Sequence, residues 1–167
     1  MQDSDAAYTL PGGRNKSVWN EETSYRARII ANPEQIQVGR SGSPLCILVV
    51  EDDDSLANLE AGILAAHGYI VTIARNGEVA ITALQQALPD LVLLDLDLSG
   101  TITGWDVLQA LRTYSRTPVL LTSAESTVRK QIRVRGETRS TLDHLPKPYP
   151  MQALLKRIER MLTTEPS

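Results

Sequence analysis

Phenylalanine is absent from this 167-residue chain and aromatic residues make up only 4% of it, so any core must be built from aliphatic side chains. There is one cysteine, Cys46, which excludes a disulfide framework and fits a reducing compartment. No apolar run approaches the roughly 18 residues that a membrane span needs. The opening MQDSDAAYTLPGG lacks the basic start and apolar centre of a secretion signal, so the expectation is a cytoplasmic protein without membrane contact. Positive charge is also in short supply. Lys and Arg total 17 against 20 Asp and Glu, a net charge of -3, which argues against a general nucleic-acid-binding surface. A glycine-rich phosphate loop is missing, and His67 and His144 stand apart with no cysteine pair, so zinc is not expected.

What is present divides in two. Residues 1–44 carry Pro11-Gly12-Gly13, Asn32-Pro33, Gly39 and the linker-like Ser41-Gly42-Ser43-Pro44, with no sustained period beyond a weak amphipathic patch at Ser24–Ile30. They are expected to be a flexible tail. From residue 45 to 165 the texture is that of a folded domain. Five short apolar runs appear, CILVV (46–50), YIVTIA (69–74), DLVLLD (90–95), PVLLT (118–122) and TLDHL (141–145). Between them lie stretches of helical period. Leu56, Leu59, Ile63 and Ala66 share one face of the first, and Val79, Ala83, Leu84 and Leu88 one face of the second. Val107, Leu108 and Leu111 mark the third, and Leu154, Leu155, Ile158 and Leu162 the last. The fourth, Glu125–Arg139, is rich in Arg, Ser and Thr, with Val128, Ile132 and Val134 as its aliphatic anchors. Near-continuous Val, Ile and Leu in the first, third and fourth runs signals parallel strands covered on both faces. Strand alternating with helix implies an α/β, doubly wound sheet.

In such a sheet, ligands bind beyond the carboxyl ends of the strands. There the sequence places Glu51-Asp52-Asp53-Asp54 after the first strand, Asp95 at the end of the third, Thr122-Ser123 at the end of the fourth and Lys147-Pro148 after the fifth. Each alone has a bland reading: an acidic run that caps a helix, a turn aspartate, a solvated lysine. Together they form a phosphoryl-transfer constellation. Clustered carboxylates suit Mg²⁺, a hard cation with oxygen ligands. Asp95 is a carboxylate nucleophile able to form an acyl phosphate. A metal, an ammonium and a hydroxyl then neutralise the phosphoryl oxygens.

In this order and at these spacings, ILVVEDD (47–53), PDLVLLDLDL (89–98), PVLLTSAE (118–125) and LPKP (145–148) resemble the response-regulator receiver domain of two-component phosphorelays across about 120 residues. The resemblance implies a flavodoxin-like fold, five parallel strands in order 2-1-3-4-5 with about five helices. It implies Asp95 as phosphoacceptor and Glu51, Asp52, Asp95 and the main-chain carbonyl of Asp97 as Mg²⁺ ligands. Ser123 matches the switch hydroxyl, Lys147 the active-site lysine with a cis bond to Pro148, and His144 takes the place of the switch aromatic. The loop after Asp95, DLDLSGTITGW, departs from the family, which has Pro near Ser99 and reaches its glycine one residue sooner. Asp97 and Glu125 occupy positions that tune phosphoryl lifetime in the family.

The function these residues imply is a stand-alone receiver that is no enzyme beyond its own phosphorylation and dephosphorylation. Its expected partners are a histidine kinase or histidine phosphotransfer protein, docking by analogy on the first helix, and a downstream protein effector. A homodimer through the face of the fourth helix, fifth strand and last helix is a further expectation, and direct DNA binding is not. Arg129, Lys130, Arg133, Arg135 and Arg139 in the fourth helix region read either as a solvated face or as a surface for an acidic partner. Two rivals stand beside this reading. One is a pseudo-receiver that binds partners without being phosphorylated. The other is a haloacid-dehalogenase-type phosphohydrolase, whose Asp-x-Asp motif Asp95 and Asp97 echo, but which places its metal carboxylates after the nucleophile and not before it.

Overall fold

The computed structural model describes residues 26–29 and 33–164 of the chain. Its strands are β1 (Arg26–Ile29), β2 (Cys46–Val50), β3 (Ile70–Ala74), β4 (Leu91–Asp95), β5 (Val119–Ser123) and β6 (Leu142–Pro146). Its helices are α1 (Asp54–Ala66), α2 (Gly77–Gln86), α3 (Gly104–Arg112), α4 (Val128–Val134) and α5 (Met151–Thr163). The sheet runs β1-β3-β2-β4-β5-β6, and β2 to β6 pair in parallel throughout. The five parallel strands thus stand in the expected 2-1-3-4-5 order, with five helices around them.

Alternation along each strand sorts the aliphatic residues into two cores. Ile47, Val49, Leu91, Leu93 and Leu120 face α1 and α5. Leu48, Val50, Val92, Leu94 and Leu121 face α2, α3 and α4. Among the described residues Tyr69, 4% exposed, is the one aromatic residue buried in either layer, with Trp105 and Tyr149 packed partly buried against them. The start of the sheet is pinned by Asp90, whose N–H donates to the Cys46 carbonyl (2.8 Å) while its carboxylate accepts from the Cys46 N–H (2.7 Å).

Several expectations are corrected. Residues 1–44 are expected to be a flexible tail, yet Arg26–Ile29 within them pairs antiparallel along β3, Arg26 opposite Ala74 and Ile29 opposite Val71, so the described sheet has six strands, while residues 1–25 and 30–32 lie outside the described residues. The buried face of α1 is Ala57, Glu60, Ala61, Leu64 and Ala65, one residue out of phase with Leu56, Leu59, Ile63 and Ala66. Leu59 is half exposed, because it lies off the stripe that α1 turns toward the sheet. Leu88 lies beyond the end of α2 and is exposed, and Met161, not Leu162, completes the α5 stripe.

The fourth helix is also shorter than its sequence suggests, seven residues with Val128 alone buried and no side-chain cap. The stretch after it is held by Arg112 instead. The guanidinium meets Glu137 in a fork, Nε to Oε1 and Nη2 to Oε2 both at 2.9 Å. Its remaining donors reach the carbonyls of Thr117 and Thr141, each at 2.9 Å.

Candidate phosphoryl-transfer site

The carboxyl ends of β2, β4, β5 and β6 bring the polar residues together. Glu51 follows β2 and is 2% exposed, Asp95 ends β4 at 2%, and Ser123 ends β5 at 0%. Asp53 caps α1 by accepting from the Leu56 N–H at 2.9 Å, which turns the chain so that Glu51 and Asp52 stay at the sheet edge. The Asp53 N–H donates in turn to Glu51 Oε1 at 3.1 Å.

Lys147 reaches in from the end of β6, across a Lys147–Pro148 peptide bond that is cis. Its Nζ lies 3.2 Å from Asp95 Oδ1 and 3.4 Å from Glu51 Oε2. The backbone repeats the link, with the Lys147 N–H donating to the Ser123 carbonyl at 2.9 Å. Oxygen atoms of Glu51, Asp52 and Asp95 all lie within 4.8 Å of one another. Burial, followed by the like charge of Asp95, pushes the Glu51 carboxyl up to about 8. Burial alone would also raise Asp52, but hydrogen bonds from Ser99 hold it below the usual carboxylate range. Burial pulls Lys147 down, and Asp95 and Glu51 together outweigh it and hold the ammonium above its ordinary value.

This donor set fits a hard divalent cation. Three oxygens converge on one ammonium, and burial together with the like charge of Asp95 keeps Glu51 reluctant to ionise, a balance that a divalent cation would reverse.

The unusual loop after Asp95 is well anchored. Leu96 and Leu98 turn inward, each 8% exposed. The Ser99 N–H donates to Asp52 Oδ2 at 2.9 Å, and Gly100 takes the turn at φ +104°. The Asp97 N–H donates to Asp95 Oδ1 at 2.9 Å, while its exposed carboxylate accepts from the Ala124 N–H at 3.3 Å. Gly104 opens α3 directly against the strand end. A Cβ there would lie 2.4 Å from the Asp95 carbonyl oxygen, so any side chain would push the helix off the site.

Ser123 and His144 stand one layer back. Ser123 Oγ accepts from the Glu125 N–H at 2.9 Å. His144, 3% exposed, makes no hydrogen bond through either ring nitrogen among the described residues, and burial lowers its proton affinity. Next to His144 in β6, Asp143 pairs with Arg157 at 2.9 Å and with Arg160. Two residues of the site were not foreseen. Glu60 of α1 is 1% exposed and accepts a hydrogen bond from the Tyr149 hydroxyl. The signal for Glu60 was its place in the Ala57, Ala61, Leu64 phase of α1.

The response regulator receiver domain family matches residues 47–159. The sensory transduction protein RegX3 of Mycobacterium bovis is 36% identical over 116 residues, 70% of this chain and 50% of that protein. The DNA-binding response regulator MtrA of Mycolicibacterium smegmatis is 38% identical over 117 residues, again 70% and 50%. The chain therefore spans about half the length of these relatives. Among solved structures, the chemotaxis protein CheY4 of Vibrio cholerae superposes with a TM-score of 0.63 at 27% identity, over 72% of this chain and all of that one. The receiver domain of NtrX from Brucella abortus does so with a TM-score of 0.62 at 29% identity, over 71% and 99%.

Proposed function

Since this chain belongs to the response regulator receiver domain family, we propose that it is a phosphorelay switch in which Asp95 takes a phosphoryl group from a histidine kinase or histidine phosphotransfer protein. The observation that carries this reading is the buried Asp95 carboxylate, 3.2 Å from the Lys147 ammonium and within 4.8 Å of Glu51 and Asp52. Asp95 attacks the phosphorus, the bond from phosphorus to the donor imidazole breaks, and the imidazole keeps the electron pair and takes up a proton. Glu51, Asp52, Asp95 and the Asp97 carbonyl would hold Mg²⁺, which supplies charge neutralisation for the phosphoryl oxygens. Lys147 stands 3.2 Å from Asp95 Oδ1, where its ammonium can meet the negative charge of the arriving phosphoryl oxygens. Ser123 Oγ is released from the Glu125 N–H to bond the phosphoryl group, and the His144 ring, which no hydrogen bond holds among the described residues, moves with it.

Residues 45–165 are the switch in this reading, preceded by a segment of 44 residues of which Arg26–Ile29 docks on the sheet. The switch acts in the cytoplasm on a protein effector and not directly on DNA. The net charge of -3 favours a protein over a nucleic acid as the surface this domain meets. No helix of the described residues is long and apolar enough to cross a membrane. The test is intact-mass spectrometry after incubation with acetyl phosphate, with and without Mg²⁺, on wild type and Asp95→Asn. A Mg²⁺-dependent gain of one phosphoryl group, absent from Asp95→Asn, is the expected result. An Asp95→Asn protein that still gains the group would place the acceptor elsewhere. A wild type that neither gains it nor binds beryllofluoride would make the domain a pseudo-receiver.

A further inference from the structure

Glu60 is the single charged side chain on the buried face of α1, whose other members are Ala57, Ala61, Leu64 and Ala65. A carboxyl group 1% exposed among alanines and leucines costs stability unless it is bonded. Its one partner given by the structure is the hydroxyl of Tyr149. That tyrosine lies two residues beyond Lys147, in the short loop between β6 and α5, between Pro148 and Pro150. Its ring packs partly buried against the α1 and α5 core. The charges of Lys147 and Asp95 both act on Glu60, so the pair sits within electrostatic reach of the site. The phenol–carboxylate bond therefore joins the helix that follows the acidic pair to the loop that carries the lysine.

We propose that Glu60 and Tyr149 are positioning residues for Lys147, their hydrogen bond fixing the β6–α5 loop to α1 so that the ammonium is held between Glu51 and Asp95 before a phosphoryl group arrives. This rests on the reading of Lys147 as the residue that neutralises the phosphoryl group. Pre-set geometry of this kind is what lets a charge stabilise a transition state without reorganising first. Tyr149→Phe removes the bond while keeping the ring. Glu60→Leu removes it with an apolar side chain of similar size. Glu60→Gln keeps an acceptor and discards the charge.

The experiment uses the full chain labelled with [¹⁵N]lysine, whose four lysines leave the Lys147 ammonium resonance assignable through Lys147→Arg. Alongside it, the rate of phosphoryl uptake from acetyl phosphate is followed across a Mg²⁺ titration. Tyr149→Phe and Glu60→Leu are expected to shift the Lys147 resonance and to slow uptake about tenfold with the Mg²⁺ midpoint unchanged. The double variant is expected to be no slower than either single one, and Glu60→Gln to recover most of the rate. An unshifted resonance and a wild-type rate in Tyr149→Phe would overturn the proposal, as would losses that multiply in the double variant. Should Glu60→Leu fail to fold, Tyr149→Phe and Glu60→Gln decide the matter alone. A wild type that takes up no phosphoryl group while its Lys147 resonance still moves in Tyr149→Phe would sink the proposed function and leave the positioning role standing.

Discussion

Three carboxyl groups, Glu51, Glu60 and Asp95, lie at most 2% exposed near a single ammonium, Lys147. Such an excess of buried acid has a pH signature. Burial raises Glu60 from 4.5 to about 7, the Tyr149 bond and Lys147 counteract it, and the Asp95 charge adds to it. Across that window the folded protein keeps a proton that the unfolded chain has released, so stability falls as pH rises from 4.5 to about 7. Below 4.5 both states hold the proton and the contribution is fully present. Glu60→Gln cannot titrate, and should flatten the curve by on the order of 3 kcal/mol at the top of the window. Glu51, raised to about 8, acts in the same sense in both proteins, and the Glu60 charge is the smallest of the causes that act on it, so most of their difference belongs to Glu60. Urea midpoints in EDTA at a series of pH values make the comparison, and parallel curves for the two proteins would refute it. Composition alone did not point to Glu60; its helical phase did, and only once Ala57 and Ala61 were read as the close-packed face.

Among the elements, α4 shows where tertiary contact replaces local propensity. Its sequence offers Val128, Ile132 and Val134 as anchors, but Val134 is 89% exposed and Ile132 only partly buried. What organises the region is the fork between Arg112 of α3 and Glu137, with side chains 9% and 5% exposed. Removing Arg112 leaves the Glu137 charge in the interior with only the exposed Arg116, 3.9 Å away, to offset it. Arg112→Met should therefore cost about 3–5 kcal/mol, read as a lower denaturant midpoint, and replacing both residues with apolar ones should recover much of it. A midpoint unchanged in Arg112→Met would mean that Glu137 swings out to water without loss. This pair was not legible in the sequence, because residues 25 apart, Arg112 and Glu137, carry no periodic relation. The strands were legible because each is a run of aliphatics bounded by polar residues. The site was legible for the same reason: Glu51, Asp95, Ser123 and Lys147 each close such a run, and a parallel sheet brings all run-ends to one edge.

For the whole molecule, the open question that periodicity could not answer was what borders the sheet. A parallel sheet of β2 to β6 would leave β3 as an edge, with a row of unpaired amide and carbonyl groups. The chain closes that edge with Arg26–Ile29, antiparallel along four residue pairs. A four-residue strand has no helical period and too little alternation to stand out from the polar segment around it, so its pairing is decided by the waiting edge and not by its own sequence. The family match begins at residue 47, so the fold is expected to survive without this strand. A chain starting at Pro33 should accordingly keep its helix content and its phosphoryl uptake, while the β3 amides directed at the vacated side lose their exchange protection. The bare edge should also pair between molecules, giving concentration-dependent association by sedimentation. If the shortened chain stays monomeric and the β3 amides exchange as slowly as before, β1 contributes nothing to the edge. If it unfolds, the sixth strand is part of the minimal domain, and the boundary belongs before residue 26 and not at 45.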